Sequence, residues 1–173
     1  MEAKLAKFEV KDLPDLCIIG KEIVGKMEDL GENNPIPAFW GKCFEENIFE
    51  TLEKTLSENI YDPAYVGYMF SLNSSEFVNV CGILMKPDTK VLDGFVKYDI
   101  KKCTIGIGWI QGKEPDIFMA AHVLTEQAFK DAGYKYDDSK SFSMEVYVCE
   151  RFNTTDENGN KILDYYIPIK KNE

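Results

Sequence analysis

Apolar and polar residues alternate most regularly over the stretch "SFSMEVYVCERF", residues 141–152, and this alternation predicts a β-strand. Successive side chains of a strand point to opposite faces of the sheet. One face is apolar and predicts core packing: Phe142, Met144, Val146 and Val148. The other face is mixed: Ser143, Glu145, Tyr147 and Cys149. Glu145 is therefore either a solvated residue on the wet face of a sheet or the acidic floor of a binding pocket.

Apolar residues at helical spacing predict two helices. The first spans residues 37–56, where "NPIP" places proline near the first turn. Its apolar positions are Phe39, Trp40, Phe44, Ile48, Leu52 and Leu56. The second helix spans residues 115–132 and is followed by Gly133, a residue suited to a helix C-cap. Its predicted buried positions are Ile117, Ala121, Leu124, Ala128 and Phe129.

An internal repeat organises these elements. The stretch that begins at Phe8 aligns with the stretch that begins at Phe95, and this alignment pairs Cys17 with Cys103. Each copy predicts two strands, a helix and two further strands. We therefore predict an α+β fold of two pseudo-symmetric ββαββ halves, about 5–85 and 93–171, within one domain over residues 1–173. Each half has an antiparallel sheet covered by one helix, and a ligand cleft lies between the halves.

The repeat also bears on Glu145. If the helices cover the faces that carry Met144 and Val146, the opposite faces are left open. The alignment of the halves matches Tyr68 with Glu145 and Phe70 with Tyr147. A wet sheet face seldom carries this many aromatic rings, so the pocket interpretation is favoured, with Glu145, Tyr147, Tyr68 and Phe70 as ligand-binding residues.

Three further aromatic residues are candidates for the pocket. Phe39 and Trp40 lie near the start of the first predicted helix, where they can pack in the core or reach a ligand. Trp109 shares its face with Ile105 and Ile107, which favours core packing. The glycines at 106 and 108 on the opposite face permit close approach of another backbone. Both interpretations stay open for each of these rings.

The charge balance excludes some functions. Asp and Glu number 30 against 20 Lys and Arg, a net charge of −10. Nucleic-acid binding needs clustered cations, and the sequence has neither a basic recognition helix nor a polybasic run. We expect no direct nucleic-acid contact, and the acidic surface favours cationic ligands.

The cysteines and the single histidine argue against metal-dependent and disulfide-stabilised classes of protein. The five cysteines are odd in number and widely spaced, without a C-x-x-C pair, which indicates reduced thiols in a cytoplasmic protein. With His122 as the only histidine, residing on a helix face, we predict no metal site and no cofactor. The sequence contains no signal-peptide pattern and no apolar run of membrane-spanning length, so no membrane partner is expected.

The order of these elements resembles the GyrI-like effector-binding domains, the ligand-sensing modules of AraC- and MerR-type regulators, and most of all their integron-cassette branch. The resemblance rests on "FEVKDLPDLCIIGKEI" as the first hairpin, "AFWGKCF" as the aromatic helix, "GWIQG", and "FSMEVYV" with "ILDYYIPI" as the closing strands. It implies that Glu145 and Tyr147, on the E-x-Y strand, meet cationic lipophilic ligands in an aromatic cleft. It also implies a separate regulator protein as a partner, since no DNA-binding domain is evident.

Three classes of function follow. The preferred one is a stand-alone binding protein for amphipathic, cationic aromatic compounds, of the kind that serves multidrug binding and transcription regulation. The resemblance also allows a hydrolase that uses the cleft Glu and Tyr to position water. The third is a protein-interaction module like the gyrase-inhibiting relatives. The first two classes both need an acid among aromatic rings, so the sequence leaves the question of enzyme activity open.

Overall fold

The computed structural model describes residues 3–173 and contains both helices and strands. In chain order the elements are β1 (Lys4–Leu13), β2 (Leu16–Lys26), α1 (Ile36–Glu45), α2 (Ile48–Thr55), β3 (Ile60–Ser71), β4 (Glu76–Met85), β5 (Val96–Ile100), β6 (Cys103–Gly112), α3 (Asp116–Asp131), β7 (Tyr134–Tyr136), β8 (Ser143–Tyr147), α4 (Cys149–Phe152) and β9 (Lys161–Lys171). Short 3₁₀ turns occupy Met27–Leu30 and Ser57–Asn59. No helix of residues 3–173 is both long and apolar enough to cross a membrane.

The chain divides into two compact units. The continuous unit is Asp15–Lys101, and the split unit joins the residues up to Pro14 with Lys102–Glu173. The continuous unit holds an antiparallel sheet in the order β3-β4-β2-β5. The split unit holds an antiparallel sheet in the order β8-β9-β6-β1, with β7 paired to the end of β9. The α+β class and the pseudo-symmetry are thereby confirmed, and Cys17 and Cys103 lie on the equivalent strands β2 and β6.

The two units differ from the sequence halves 5–85 and 93–171 by an exchange of one strand. The predicted first hairpin does not form, because β1 pairs with β6, where Leu13 faces Cys103. In return β5 pairs with β2, where Ile100 faces Leu16. The repeat explains this exchange: Phe8 of β1 and Phe95 before β5 begin equivalent stretches, so each strand suits the partner of the other.

The first predicted helix, residues 37–56, is wrong as a single element. It is divided into α1 and α2 at Asn47, whose φ of 54° is left-handed. Asparagine tolerates this conformation better than most residues, and its backbone N–H donates to the Phe44 carbonyl at 3.1 Å. The second predicted helix, 115–132, is confirmed by α3. It ends before Gly133, where a φ of 88° fits the expected C-cap.

The strand predicted over 141–152 is shorter than its pattern. It ends at Tyr147, and residues Cys149–Phe152 turn into α4. The amides of Arg151 and Phe152 both bond the Val148 carbonyl, at 3.0 and 2.8 Å, which closes this turn. The turn carries the side chains of Arg151 and Phe152 to opposite sides of their sheet, a placement that strand parity alone does not predict.

The helices cover one face of each sheet. In the continuous unit, α1 and α2 pack on the face of Cys17, Ile19, Cys81 and Ile83. The opposite face carries Val66, Tyr68 and Phe70 through their pairing with Gly82, Val80 and Val78. In the split unit the expectation was wrong: α3 packs on the face of Tyr165 and Ile167, which is also the face of Glu145. Gly108 on this face lets α3 approach closely, since a Cβ there would lie 2.2 Å from Thr125 Oγ1.

None of the five cysteines, all of which lie within residues 3–173, forms a disulfide. Cys17, Cys43 and Cys81 lie in the core of the continuous unit, Cys103 is partly buried, and Cys149 is exposed. Burial raises the pKa of the Cys17 and Cys103 thiols. In these buried positions a cysteine acts as a small apolar side chain.

Candidate functional site

The central feature of the split unit is the carboxyl group of Glu145 on the short strand β8. Two residues on, the hydroxyl of Tyr147 donates a hydrogen bond of 2.5 Å to Glu145 Oε2. Strand parity brings both side chains to the same face, and β9 presents Tyr165 directly across from Glu145. The predicted pair of Glu145 and Tyr147 is thus brought together, with a second tyrosine beside it.

The carboxyl group of Glu145 is buried within a residue that is itself partly exposed. Part of the side chain is exposed, yet the carboxyl group lies deep enough that burial raises its pKa, and the Tyr147 hydrogen bond only partly opposes this effect. Across the ladder, burial and the Glu145 carboxylate raise the pKa of Tyr165 to about 12. This arrangement makes Glu145 an acidic group whose ionised form is not fully compensated by the fold.

Aromatic rings extend this site beyond what the sequence predicted. Phe152 of α4 packs edge-on against Tyr147, with ring centroids 4.7 Å apart. Phe118 of α3 lies 6.3 Å from Phe152. The helical spacing of Phe118 could have indicated a position beside the core, but Phe152 depends on the turn that ends β8.

His122 of α3 adds a titratable group. Its Nδ1 lies 3.1 Å from the hydroxyl of Tyr165, and its Nε2 lies 2.8 Å from the hydroxyl of Tyr136. Burial lowers the pKa of His122, with Glu126 opposing that shift. His122 is exposed, as predicted for a helix-face residue, but its bond to Tyr165 links it to the strand residue across from Glu145.

Trp109 lies on the face of the split unit's sheet that is opposite to α3. It pairs with Asp164, whereas its neighbour Gly108 pairs with Tyr165 on the α3 face. Its ring is flanked by two cations, Lys7 at 4.5 Å and Arg151 at 4.0 Å from the centroid. Its Nε1 donates to Glu9 over 3.3 Å. Arg151 in turn forms two bonds with the buried Asp164, of 3.0 and 2.6 Å. Trp109 thus belongs to a network of charged residues and does not share the face of Glu145.

In the continuous unit, Tyr68 and Phe70 form an aromatic cluster with Tyr98 of β5. The centroid of Tyr98 lies 6.3 Å from Tyr68 and 5.2 Å from Phe70. The hydroxyl of Tyr98 donates to Glu22 over 2.5 Å. This bond and burial raise the pKa of Tyr98 to about 12. The sequence pattern marks neither Glu22 nor Tyr98 as a candidate site residue.

Phe39 and Trp40 take different positions on α1. Trp40 stacks on Phe49 at 5.5 Å and packs against the core of the continuous unit. Phe39 packs against the same core and also lines a cavity of about 520 Å³ between α1 and the edge of β2. The other residues that line this cavity are Lys21, Glu22, Ile23, Val24, Pro35, Ala38, Lys42, Cys43 and Glu46.

No protein-family profile matches the chain, and no curated protein matches it. Solved structures do match over nearly its whole length. SAV2435 bound to tetraphenylphosphonium is 11% identical with a TM-score of 0.67, and the match covers 95% of this chain and 94% of that one. The C-terminal domain of EcmrR is 14% identical with a TM-score of 0.56, over 96% and 98% of the two chains. The longer EcmrR chain solved with DNA is covered over 58% of its length.

An integron cassette protein from the mobile metagenome of Vibrio cholerae, VCH_CASS2, is 12% identical with a TM-score of 0.53, over 98% of this chain and 100% of that one. At these identities the likeness establishes the fold.

Proposed function

We propose that this chain, which has the fold of the GyrI-like effector-binding domains, binds small lipophilic organic cations through Glu145. The observation that carries the proposal is the buried carboxyl group of Glu145 among aromatic rings. Tyr147 bonds the carboxyl group, Phe152 packs on the ring of Tyr147, and Phe118 packs on Phe152. Aromatic faces attract cations and offer apolar area without demanding one ligand shape.

The charge inventory supports a cationic ligand. Among residues 3–173, no lysine or arginine forms an ion pair with Glu145. Burial raises its pKa, so ionisation in the absence of a ligand costs free energy. A bound cation would supply the missing charge and lower that pKa again. Ligand affinity is therefore expected to rise with pH as Glu145 ionises.

The solved complex of SAV2435 with tetraphenylphosphonium gives independent support, since that protein of the same fold holds a lipophilic cation. EcmrR carries the fold as the C-terminal domain of a longer chain solved with DNA. By analogy we propose that this chain binds the effector, and that any effect on transcription requires a separate regulator protein.

The decisive test compares one cation with a neutral ligand of similar shape, such as methyltriphenylphosphonium and triphenylphosphine oxide. Glu145→Gln keeps the shape of the side chain and removes its charge. We expect the cation to bind about tenfold or more weakly, roughly 1–3 kcal/mol, and the neutral compound to lose little. Glu157→Gln removes the same charge from an exposed loop and serves as the control. Equal losses for both ligands would contradict the role of charge.

A raised pKa also favours the second candidate, a hydrolase, because a general base works best near neutral pH. In that reaction Glu145 takes a proton from water, and the water oxygen bonds the electrophilic carbon. The leaving group departs with the electron pair of its bond to that carbon and takes up the proton, which returns Glu145 to its ionised form. Release of p-nitrophenol from p-nitrophenyl esters, lost in Glu145→Gln, would support this activity. An unchanged background rate in wild type and variant would leave binding as the function.

A further inference from the structure

The face of the continuous unit's sheet that its helices leave uncovered carries a second carboxyl group, Glu22. Ladder pairing sets Glu22, Val80 and Tyr68 in one row across β2, β4 and β3. The next row holds Val24, Val78 and Phe70. Val24 is 53% exposed, and Leu72 beyond the end of β3 is 51% exposed. Val78, Val80 and Tyr68 in the middle of the face are buried, so the acidic group and the exposed apolar side chains meet only at its outer edge.

Tyr98 contacts Glu22 and Tyr68 of the first row and Phe70 of the second row. It pairs with Ile18, and Gly20, which lies between Ile18 and Glu22 on this face, adds no side chain there. The ring of Tyr98 can therefore reach along β2, where its hydroxyl bonds Glu22 over 2.5 Å. Phe70 meets the same ring edge-on at 5.2 Å, and Tyr68 stacks on it at 6.3 Å. A carboxylate and three rings are assembled by three different strands.

The charges near Glu22 do not neutralise it. Two lysines line the neighbouring cavity, and each has another partner. Lys42 lies 3.8 Å from Glu46, whereas Lys21 donates to the Gly94 carbonyl and lies over the ring of Phe95. Within residues 3–173 no lysine or arginine forms an ion pair with Glu22.

We propose that Glu22, Tyr98, Tyr68 and Phe70 form a second binding site, for quaternary ammonium or phosphonium groups that carry an aromatic substituent. The rings favour a diffuse cation over a strongly hydrated ammonium group, and the exposed edge formed by Val24 and Leu72 suits the apolar substituent. One oxygen of Glu22 holds the Tyr98 hydroxyl, which leaves other acceptor positions to face the cation. All of its residues belong to the continuous unit, whereas Glu145 belongs to the split unit.

Methyltriphenylphosphonium, titrated against ¹⁵N-labelled protein, tests the proposal by backbone amide shifts. Shifts in β2 and β5 report the Glu22 site, and shifts in β8 and β9 report the Glu145 site. We expect Glu22→Gln to raise the dissociation constant measured from the β2 and β5 shifts about tenfold. The dissociation constant measured from the β8 and β9 shifts should change by less than about twofold, which corresponds to a small change in binding free energy. Glu145→Gln should do the reverse, so the two proposals can fail separately.

Two further variants complete the test. Phe70→Leu keeps the charge and removes a ring, and it should also weaken the β2 and β5 response. Glu58→Gln removes an exposed charge from the same unit and should change neither response. The proposal is overturned if the wild type shows no saturable shifts in β2 and β5, or if Glu22→Gln and Phe70→Leu leave them unchanged.

Discussion

The hydroxyl of Tyr147 donates a hydrogen bond of 2.5 Å to the carboxyl group of Glu145, two residues before it on the same strand face. This bond favours the ionised carboxylate, while burial favours the neutral acid and has the larger effect on its pKa. The fold thus holds the acidic group in place without compensating its charge. Removal of this charge, or binding of a cation beside it, should therefore increase the stability of the folded protein.

Glu145→Gln should therefore change how stability depends on pH. The unfolded chain ionises this carboxyl near its ordinary pKa of 4.5, and the folded chain only at higher pH. In that window the folded state binds more protons, so the wild-type free energy of unfolding falls as pH rises. The glutamine variant lacks this fall and should be the more stable protein at neutral pH. Urea unfolding at several pH values measures the free energy of unfolding of both proteins. The prediction would be refuted if the two free energies depended on pH in the same way.

His122→Gln should have the opposite effect on acid stability. Burial lowers the pKa of His122 below its ordinary 6.5, so the unfolded state takes up a proton first as pH falls. Wild-type stability is therefore present above that value and is lost as pH falls through the folded pKa. Glutamine can bond Tyr165 and Tyr136 without titrating. Thermal unfolding of both proteins from pH 7 to 5 should show a smaller loss for the variant.

Gly108→Ala should destabilise the split unit by about 1–3 kcal/mol, as overpacking does. A Cβ at this position would lie 2.2 Å from Thr125 Oγ1 and 3.1 Å from its Cβ. Thr125→Ala alone loses the bond of its hydroxyl to the Ala121 carbonyl, about 1 kcal/mol. The double variant should cost less than the sum of the two, which a double-mutant cycle from chemical denaturation would measure. Strict additivity would mean that the helix and strand move apart instead.

Arg151→Met should cost about 3 kcal/mol, because it leaves the nearly buried Asp164 carboxylate without its guanidinium partner. It also removes a cation from the ring of Trp109, so the tryptophan fluorescence should shift. Lys54→Met breaks the exposed pair with Glu50 and should leave the unfolding midpoint nearly unchanged. Similar costs for the two variants would contradict the importance of burial.

The protein should not bind duplex DNA directly, given its net charge of −10. A gel-shift assay at low salt should detect no complex with a random or an AT-rich duplex. Tight binding that weakens steeply with added salt would contradict this prediction.

Local signals in the sequence predicted most of the elements. Gly133 ends α3, and the loop around Gly159 separates α4 from β9 as its Asn-Gly pair indicates. The break at Asn47 was missed because the apolar spacing continues across it. A left-handed asparagine changes the direction of the chain without interrupting that spacing.

Pairing and coverage could not be predicted in the same way. The repeat gives β1 and β5 equivalent patterns, so nothing local decides which pairs with β2 and which with β6. The alternation along the strand places Glu145 and Met144 on opposite faces of the sheet, but it does not determine which face α3 covers. Gly108 was the available signal, since Thr125 of α3 packs where β6 has no side chain at this position.

The exchange of β1 and β5 sets an order for folding during synthesis. The continuous unit has all its strands once Lys101 has left the ribosome, so it can complete its sheet while the rest of the chain is still being made. β1 emerges before all of these strands but must wait for β6, which is several seconds of translation later at about 5–20 residues per second. During that delay its equivalent partner β2 is already exposed beside it, and β5 must displace β1 from any such premature pairing. The rate at which the ribosome translates the segment between β1 and β6 should therefore affect the yield of native protein.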